Sequence, residues 1–162
     1  MSYMIKHPIN AKPFRMAVTY NSTDFVFNAG QTPRSGTIPL NTLVQSNGMG
    51  LTLATNQITL VEGKTYLIYY KAGLVNSTEN RSGEINIQKN GVTITSQPYV
   101  PAITTSATIA NSAWVTPNNV SMAVVTASLG DYISFLYTRT SGNVYADTVN
   151  SVASKAFILE IA

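Results

Sequence analysis

The residues of this sequence that could carry out acid–base chemistry are few and widely spaced. The carboxylates are Asp24, Glu62, Glu79, Glu84, Asp131, Asp147 and Glu160. Hydrolysis by two carboxyl groups requires both groups to lie close to the scissile bond. The sequence leaves one such pair possible, Asp131 and Asp147. The single histidine, His7, lies in a segment that contains Pro8 and Pro13, so a Ser-His-Asp arrangement would have to be assembled on a tail. We therefore predict no catalytic residue.

Metal, cofactor and ligand sites have little support in the sequence. No run of Asp, Asn and Gly offers closely spaced oxygen ligands for calcium, and there is no cysteine. No glycine-rich loop opens a helix after a strand, so no phosphate cradle is predicted. We predict neither a metal nor a cofactor. Three aromatic residues in loop-like segments, Tyr99, Trp114 and Tyr145, could stack on a sugar, or they could simply pack onto the body of the protein.

The composition is typical of a β-rich protein that works outside a cell or on a particle. Charged residues make up 10% of the 162 residues, against the roughly 25% usual in soluble domains, and Ser, Thr and Asn replace them. Such side chains cover the wet face of a sheet without like-charge repulsion. The net charge of +3 comes from scattered cations, so we predict no nucleic-acid partner.

Short apolar runs separated by turn residues recur along the chain, and no window has sustained apolar residues at helical spacing. This pattern predicts an all-β fold, an antiparallel sandwich or jelly roll of about ten strands. A further short strand is expected around Trp114. The predicted strands cover residues 14–20, 24–28, 51–54, 58–60, 65–71, 84–89, 92–95, 121–127, 132–139 and 155–161.

One hairpin is predicted from the stretch "INIQKNGVTIT", residues 85–95. A two-residue turn on Asn90-Gly91 needs positive φ at both positions, which Asn and Gly accept most readily. It would pair Lys89 with Val92 and Ile87 with Ile94, and would place the four β-branched apolar residues on one buried face.

Three strands, at residues 65–71, 132–139 and 155–161, carry apolar side chains on both faces. An antiparallel strand of this kind must be covered on both sides. One cover is the second sheet of the domain, and we predict that the other is another copy of the chain; the alternative is a loop folded over an ordinary core strand. The predicted interface consists of Tyr66, Ile68, Tyr70, Tyr132, Leu136, Phe157 and Leu159.

The first residues carry the one charge asymmetry. Lys6, Lys12 and Arg15 precede the first acidic residue, Asp24, and the stretch has no apolar run long enough for a secretion signal or a membrane span. We predict an arm over residues 1–20 and a jelly-roll domain over residues 21–162, although the arm could be only a solvated tail. The predicted particle anchor is Met4, Ile5, Lys6, Ile9 and Lys12.

The order of four motifs resembles the tumour necrosis factor and complement globular-head superfamily. They are "ITLVEGKTYLIYYK" (58–71), "INIQKNGVTI" (85–94), "VVTASLGDYISFLY" (124–137) and the final "KAFILEIA" (155–162). The spacing of Gly63 and Tyr66 and of Leu129-Gly130-Asp131 departs slightly from the family pattern, and residues 1–49 carry no resemblance. The resemblance implies a ten-stranded jelly roll that trimerises through the sheet holding its first and last strands.

These observations together predict a homotrimeric, non-enzymatic structural protein on the surface of a bacteriophage virion. It would be a head fibre or capsid decoration, docked on a capsid or other virion protein through the arm, and able to help attach to a host-surface glycan. No membrane insertion is expected. The alternatives are a secreted or spore-surface binding module of the same fold, and a glycan-processing enzyme on a β-sandwich.

Overall fold

The computed structural model describes residues 15–27, 34–71, 74–75, 82–99, 114–115, 120–141, 147–149 and 154–162. These residues form fifteen strands and no helix; accordingly, they contain no helix long and apolar enough to cross a bilayer. The strands are β1 (Arg15–Tyr20), β2 (Phe25–Phe27), β3 (Arg34–Thr37), β4 (Thr42–Gln45), β5 (Thr52–Ala54), β6 (Gln57–Thr59), β7 (Thr65–Lys71), β8 (Leu74–Val75), β9 (Ser82–Lys89), β10 (Val92–Tyr99), β11 (Trp114–Val115), β12 (Val120–Thr126), β13 (Tyr132–Ser141), β14 (Asp147–Val149) and β15 (Lys155–Glu160).

Two antiparallel sheets make up an all-β jelly-roll sandwich. Sheet I has five strands in the order β12-β7-β15-β1-β4. Sheet II has six strands, with the order β10-β9-β13-β6-β5 and β3 paired to β13. A small sheet III joins β11, β8, β14 and β2. Every predicted strand overlaps an observed one, and the expected short strand at Trp114 is β11, so the predicted fold class is confirmed.

The core lies between the facing sides of sheets I and II. Strand β7 reads "TYLIYYK" and turns Tyr66, Ile68 and Tyr70 inward, because successive side chains of a strand point to opposite faces. Strand β13 does the same from sheet II, and its Phe135 ring stacks on Tyr70 with a centroid distance of 4.5 Å. This shared interior fixes which face of each sheet is left to the outside.

The predicted turn on Asn90-Gly91 is present, with φ of 54° and 79°. Val92 pairs with Lys89 as predicted, but a bulge shifts the register between Thr93 and Thr95, so Thr95 and not Ile94 faces Ile87. The prediction that Val92 and Ile94 are buried is wrong, since both are exposed. Ile94 is exposed because the bulge inserts a residue and shifts the register. Val92 is exposed because it lies at the rim of the sheet.

The predicted boundary between arm and domain falls in the wrong place. Strand β1 begins at Arg15 and lies between β15 and β4 inside sheet I. Residues 15–20 therefore belong to the jelly roll, and an arm can extend no further than residue 14. The predicted anchor residues Met4, Ile5, Lys6, Ile9 and Lys12 lie outside the described residues, so their role stays a prediction.

Candidate interface on the outward face of sheet I

The outward face of sheet I carries two rows of apolar side chains that run across neighbouring strands. The first row spans all five strands; the register places Met122 opposite Tyr69, Tyr69 opposite Phe157, Phe157 opposite Val18, and Val18 opposite Val44. The second row, one pleat further along, consists of Val124, Leu67, Leu159 and Met16. We call these nine residues the apolar face.

The apolar face is exposed most at its two margins. Met122 and Val124 on the edge strand β12 keep 54% and 63% of their surface exposed, and Val44 on the opposite edge strand β4 keeps 59%. In the middle, side chains cover one another and are half-buried; Tyr69 and Phe157, for example, have ring centroids 5.9 Å apart. Adjacent exposed apolar side chains of this kind mark surfaces that contact other molecules.

Polar groups close both ends of the apolar face. At one end Lys71 and Lys155 lie opposite each other on adjacent strands, and the Lys155 ammonium sits 5.6 Å from the ring centroid of Tyr20. At the other end the hydroxyls of Thr65 and Thr126 are 3.0 Å apart. The apolar surface is therefore a band with polar rims, which is the usual anatomy of a protein interface.

The predicted interface residues fall into three groups. Tyr66, Ile68 and Tyr70 are at most 1% exposed inside the protomer, so their assignment to an interface is wrong. Both faces of β7 are apolar, and the prediction chose the face that the sandwich itself buries. Tyr132 and Leu136 lie on β13 of sheet II, outside the apolar face of sheet I, and are partly exposed. Their part in an interface stays a prediction.

Phe157 and Leu159 do lie on the apolar face, in the middle of its two rows. Their part in an interface stays a prediction. The sequence-based prediction missed the margins of the face, Val44, Met122 and Val124. A signal for two of them was present, because "MAVVTA" is apolar at both alternating sets of positions, which is the criterion that selected β7 and β15.

A second exposed apolar surface lies where the two main sheets meet at their edges. Strand β10 is an edge of sheet II, β12 is an edge of sheet I, and the two edges lie side by side. Val92 and Ile94 on β10 are exposed, as are Met122 and Val124 on β12, and Leu129 projects from the turn after β12. The apolar face thus continues around β12 onto what we call the β10/β12 edge.

A network of hydrogen bonds around the Asp131 carboxylate holds this edge together. The Asp131 carboxylate accepts hydrogen bonds from Lys89 Nζ at 2.7 Å, from the Ser128 amide at 2.7 Å and from Asn90 Nδ2 at 2.6 Å. These bonds, led by the one from Lys89, lower the pKa of Asp131 to about 2. The Lys89 ammonium also donates to the Thr126 carbonyl oxygen at 3.1 Å, so the hairpin turn of sheet II is fastened to the end of β12.

A second ionic cluster lies at the far end of β15. Glu160 accepts from Lys64 Nζ at 3.0 Å and lies 3.5 Å from Arg15 Nη1. The hydrogen bond from Lys64 is the main reason that the pKa of Glu160 is lowered. Arg15 also donates to the Gly48 carbonyl oxygen at 3.2 Å. Both clusters pair each carboxylate with an ammonium or guanidinium group and leave no acid positioned as a proton donor.

Asp131 and Asp147, the pair that the sequence left possible for hydrolysis, lie far apart. Asp131 precedes β13 at the Thr65 end of β7, since Thr126 pairs with Thr65. Asp147 begins β14, which pairs with β8, the strand beyond the Lys71 end of β7. The length of β7 alone separates these ends by roughly 20 Å. No group of three metal-binding side chains occurs among the described residues.

Of the candidate ligand aromatics, Tyr99 ends β10 and Trp114 begins β11. These strands belong to sheets II and III, so their backbones do not place the two residues on one strand pair. Tyr145 lies outside the described residues. Sugar stacking by these aromatics stays a prediction.

Solved structures with a similar fold include tumour necrosis factor ligands. The structure of Eiger TNF from S. frugiperda aligns with a TM-score of 0.53 at 15% identity, over 93% of this chain and 94% of that one. Murine APRIL aligns with a TM-score of 0.55 at 10% identity, over 91% of this chain and 98% of that one. No protein-family model and no curated protein matches the sequence. The chain therefore has a TNF-like jelly-roll fold, and at these identities the similarity shows the fold alone.

Proposed function

We propose that the chain is a non-enzymatic structural module that works as a homotrimer of jelly rolls on the surface of a bacteriophage particle. The observation that carries the proposal is the apolar face, which spans all five strands of sheet I, roughly 20 Å from edge to edge. A protomer alone in water would leave this band exposed, which isolated soluble domains rarely do.

A second copy of the chain is the simplest partner for the apolar face. The described residues of the face are apolar, and its two lysines lie at one end, outside the two apolar rows. A surface of Tyr, Phe, Met, Leu and Val with polar rims is the composition that protein interfaces favour. Self-association also needs no second gene product to be present in matching amount.

A closed ring explains both exposed surfaces better than a two-fold dimer. A two-fold dimer would bury the apolar face against itself and leave Val92, Ile94 and Leu129 of the β10/β12 edge exposed. If the β10/β12 edge of one copy packs on the apolar face of the next, both surfaces are covered. Such a head-to-tail contact forms a closed ring when the rotation between neighbouring copies is one third of a turn. The superfamily resemblance set out above gives three as the number of copies.

The placement on a virion is supported by composition and by the N-terminal residues. The chain has few charges and many hydroxyl and amide side chains, and the cationic, proline-containing residues 1–14 precede the first strand of the jelly roll. In the proposal these residues dock on a capsid or other virion protein, while the jelly roll faces outward and can contact a host-surface glycan.

Two measurements test the proposal in order. Light scattering of the purified chain at micromolar concentration should give the mass of three copies of the 17.4 kDa chain; a monomer mass would end the trimer proposal. Mass spectrometry of purified phage particles should then find the chain as a stoichiometric component. A trimer found free in culture supernatant and absent from particles would reject the virion role and favour a secreted binding module.

A further inference from the structure

The sequence contains two Asn-Gly pairs, Asn47-Gly48 and Asn90-Gly91. In such a pair the backbone nitrogen of the glycine can attack the side-chain amide carbon of the asparagine, because glycine has no Cβ to obstruct the approach. Both pairs lie in turns, with φ of 78° at Gly48 and 79° at Gly91. The two glycines therefore have similar backbones, but the asparagines do not, since Asn90 has a positive φ of 54° and Asn47 does not. The two pairs also differ in their surroundings.

Asn90 is held at both ends of its side chain. Its Nδ2 donates to Asp131 Oδ1 at 2.6 Å, and its Oδ1 accepts from the Tyr132 amide at 2.9 Å. Its own backbone amide donates to the Tyr132 carbonyl oxygen at 3.0 Å. Rotation of the amide carbon toward the Gly91 nitrogen would break both side-chain bonds, and an acid in place of the amide would set a carboxylate against Asp131.

Asn47 has no such restraint. It lies with Gly48 in the exposed turn between β4 and β5, closed by a 3.3 Å hydrogen bond from the Met49 amide to the Ser46 carbonyl oxygen. Within the described part of the chain, neither the Asn47 side chain nor the Gly48 amide takes part in a hydrogen bond. The amide carbon is free to rotate, and the attacking nitrogen has no bond to give up.

We propose that Asn47 is a site of spontaneous deamidation in the folded protein and that Asn90 is protected by the Asp131 network. The Gly48 nitrogen loses its proton and bonds to Cγ of Asn47; the Cγ–Nδ2 bond breaks and ammonia leaves, which gives a five-membered succinimide. Water then adds to the ring. Opening at Cγ gives aspartate, and opening at the backbone carbonyl carbon gives isoaspartate with the main chain rerouted through Cγ.

The reaction places a new negative charge beside an existing ionic cluster. A Cβ built on Gly48 would lie 3.5 Å from Nη2 of Arg15, which also bridges to Glu160. A carboxylate at position 47 would be one residue from this contact and would lower the net charge of +3 by one. In isoaspartate the added backbone atom also lengthens the turn that joins edge strand β4, which carries Val44 of the apolar face, to β5.

The test is a peptide map of the intact chain after incubation in mildly alkaline buffer, once in the native state and once in denaturant. In the native state we expect Asn90 to convert to aspartate or isoaspartate roughly a hundredfold more slowly than Asn47 does. Two hydrogen bonds of the Asn90 side chain must open first, and each slows the reaction by about a factor of ten. In denaturant the two sites should react at similar rates.

Two variants sharpen the result. Asn47→Gln, which keeps the amide but disfavours the five-membered ring, should remove the acidic species from ion-exchange profiles. Asp131→Ala should speed the reaction at Asn90. If that variant does not fold, comparing the Asn90 rate of the parent chain in the native state and in denaturant tests the same protection. Equal native rates at the two sites, or a native Asn47 that stays intact while the denatured one reacts, would overturn the proposal. None of these outcomes depends on the oligomeric state.

Discussion

Replacing Val124 by glutamate should break the assembly while leaving the protomer folded. Val124 is 63% exposed on β12 in the single chain, so the change should alter protomer stability within about 0.5 kcal/mol, as for other surface substitutions. Full burial of a valine stabilises by about 1.5 kcal/mol, so covering the exposed part supplies about 1 kcal/mol per copy and about 3 kcal/mol per trimer. Losing this contribution alone raises the dissociation constant of the trimer roughly 150-fold, and the cost of desolvating a carboxylate adds to it.

The assay is sedimentation velocity over a concentration series, with melting temperature measured in parallel. Because the concentration at half-assembly varies as the square root of a trimer dissociation constant, it should rise at least about twelvefold. The matched control is Thr59→Glu, which adds the same charge to an exposed β-branched position on sheet II. If Val124→Glu assembles like the unmodified chain and like the control, the apolar face is not the interface.

Three further predictions concern the network, the hairpin and the arm. Because the pKa of Asp131 is lowered from 3.8 to about 2, its contribution to stability is fully present above pH 3.8 and should be lost as the pH falls through 2; acid titration of the melting temperature should show a shallower decline in Asp131→Asn. Gly91→Val should reduce the free energy of unfolding by about 1 to 2 kcal/mol, since φ at Gly91 is 79°, and a urea midpoint equal to that of the parent would contradict this. A chain that starts at Phe14 should keep β1 and its melting temperature but fail to decorate particles that lack the native protein; binding as tight as that of the full chain would leave residues 1–13 without an anchoring role.

Local patterns predicted the strands well, because alternation and turn chemistry act over a few residues. Strand β7 was predicted at residues 65–71 and found at Thr65–Lys71, where Gly63 and Lys64 precede a run of apolar residues. The Asn90-Gly91 turn was predicted for the same kind of reason. Strand β4 was missed because "TLVQ" is too short to show a period and is recognised as a strand only through its pairing with β1.

The candidate site was predicted less well, because the choice of face is a property of the whole sandwich. Strand β7 is apolar on both faces, so its sequence does not show that Tyr66, Ile68 and Tyr70 face sheet II. The importance of Lys89 was also hidden. As a turn-flanking lysine it has no local partner, and its 2.7 Å bond to Asp131 forms only when β9 pairs with β13, which places Lys89 opposite Ile133 and close to Asp131.

The order of strands in sheet I has a consequence for how the chain reaches its native state. Strand β1 pairs with β15, and Arg15 and Glu160, which meet at the end of that pair, are 145 positions apart. Contacts this distant in sequence slow folding, because the intervening chain must be ordered before they form. A nascent chain that has not reached residue 155 holds sheet I in two pieces, β1 with β4 and β7 with β12, each with apolar side chains uncovered. We expect newly made protein to be most prone to aggregation, and most in need of a chaperone, during that interval of translation.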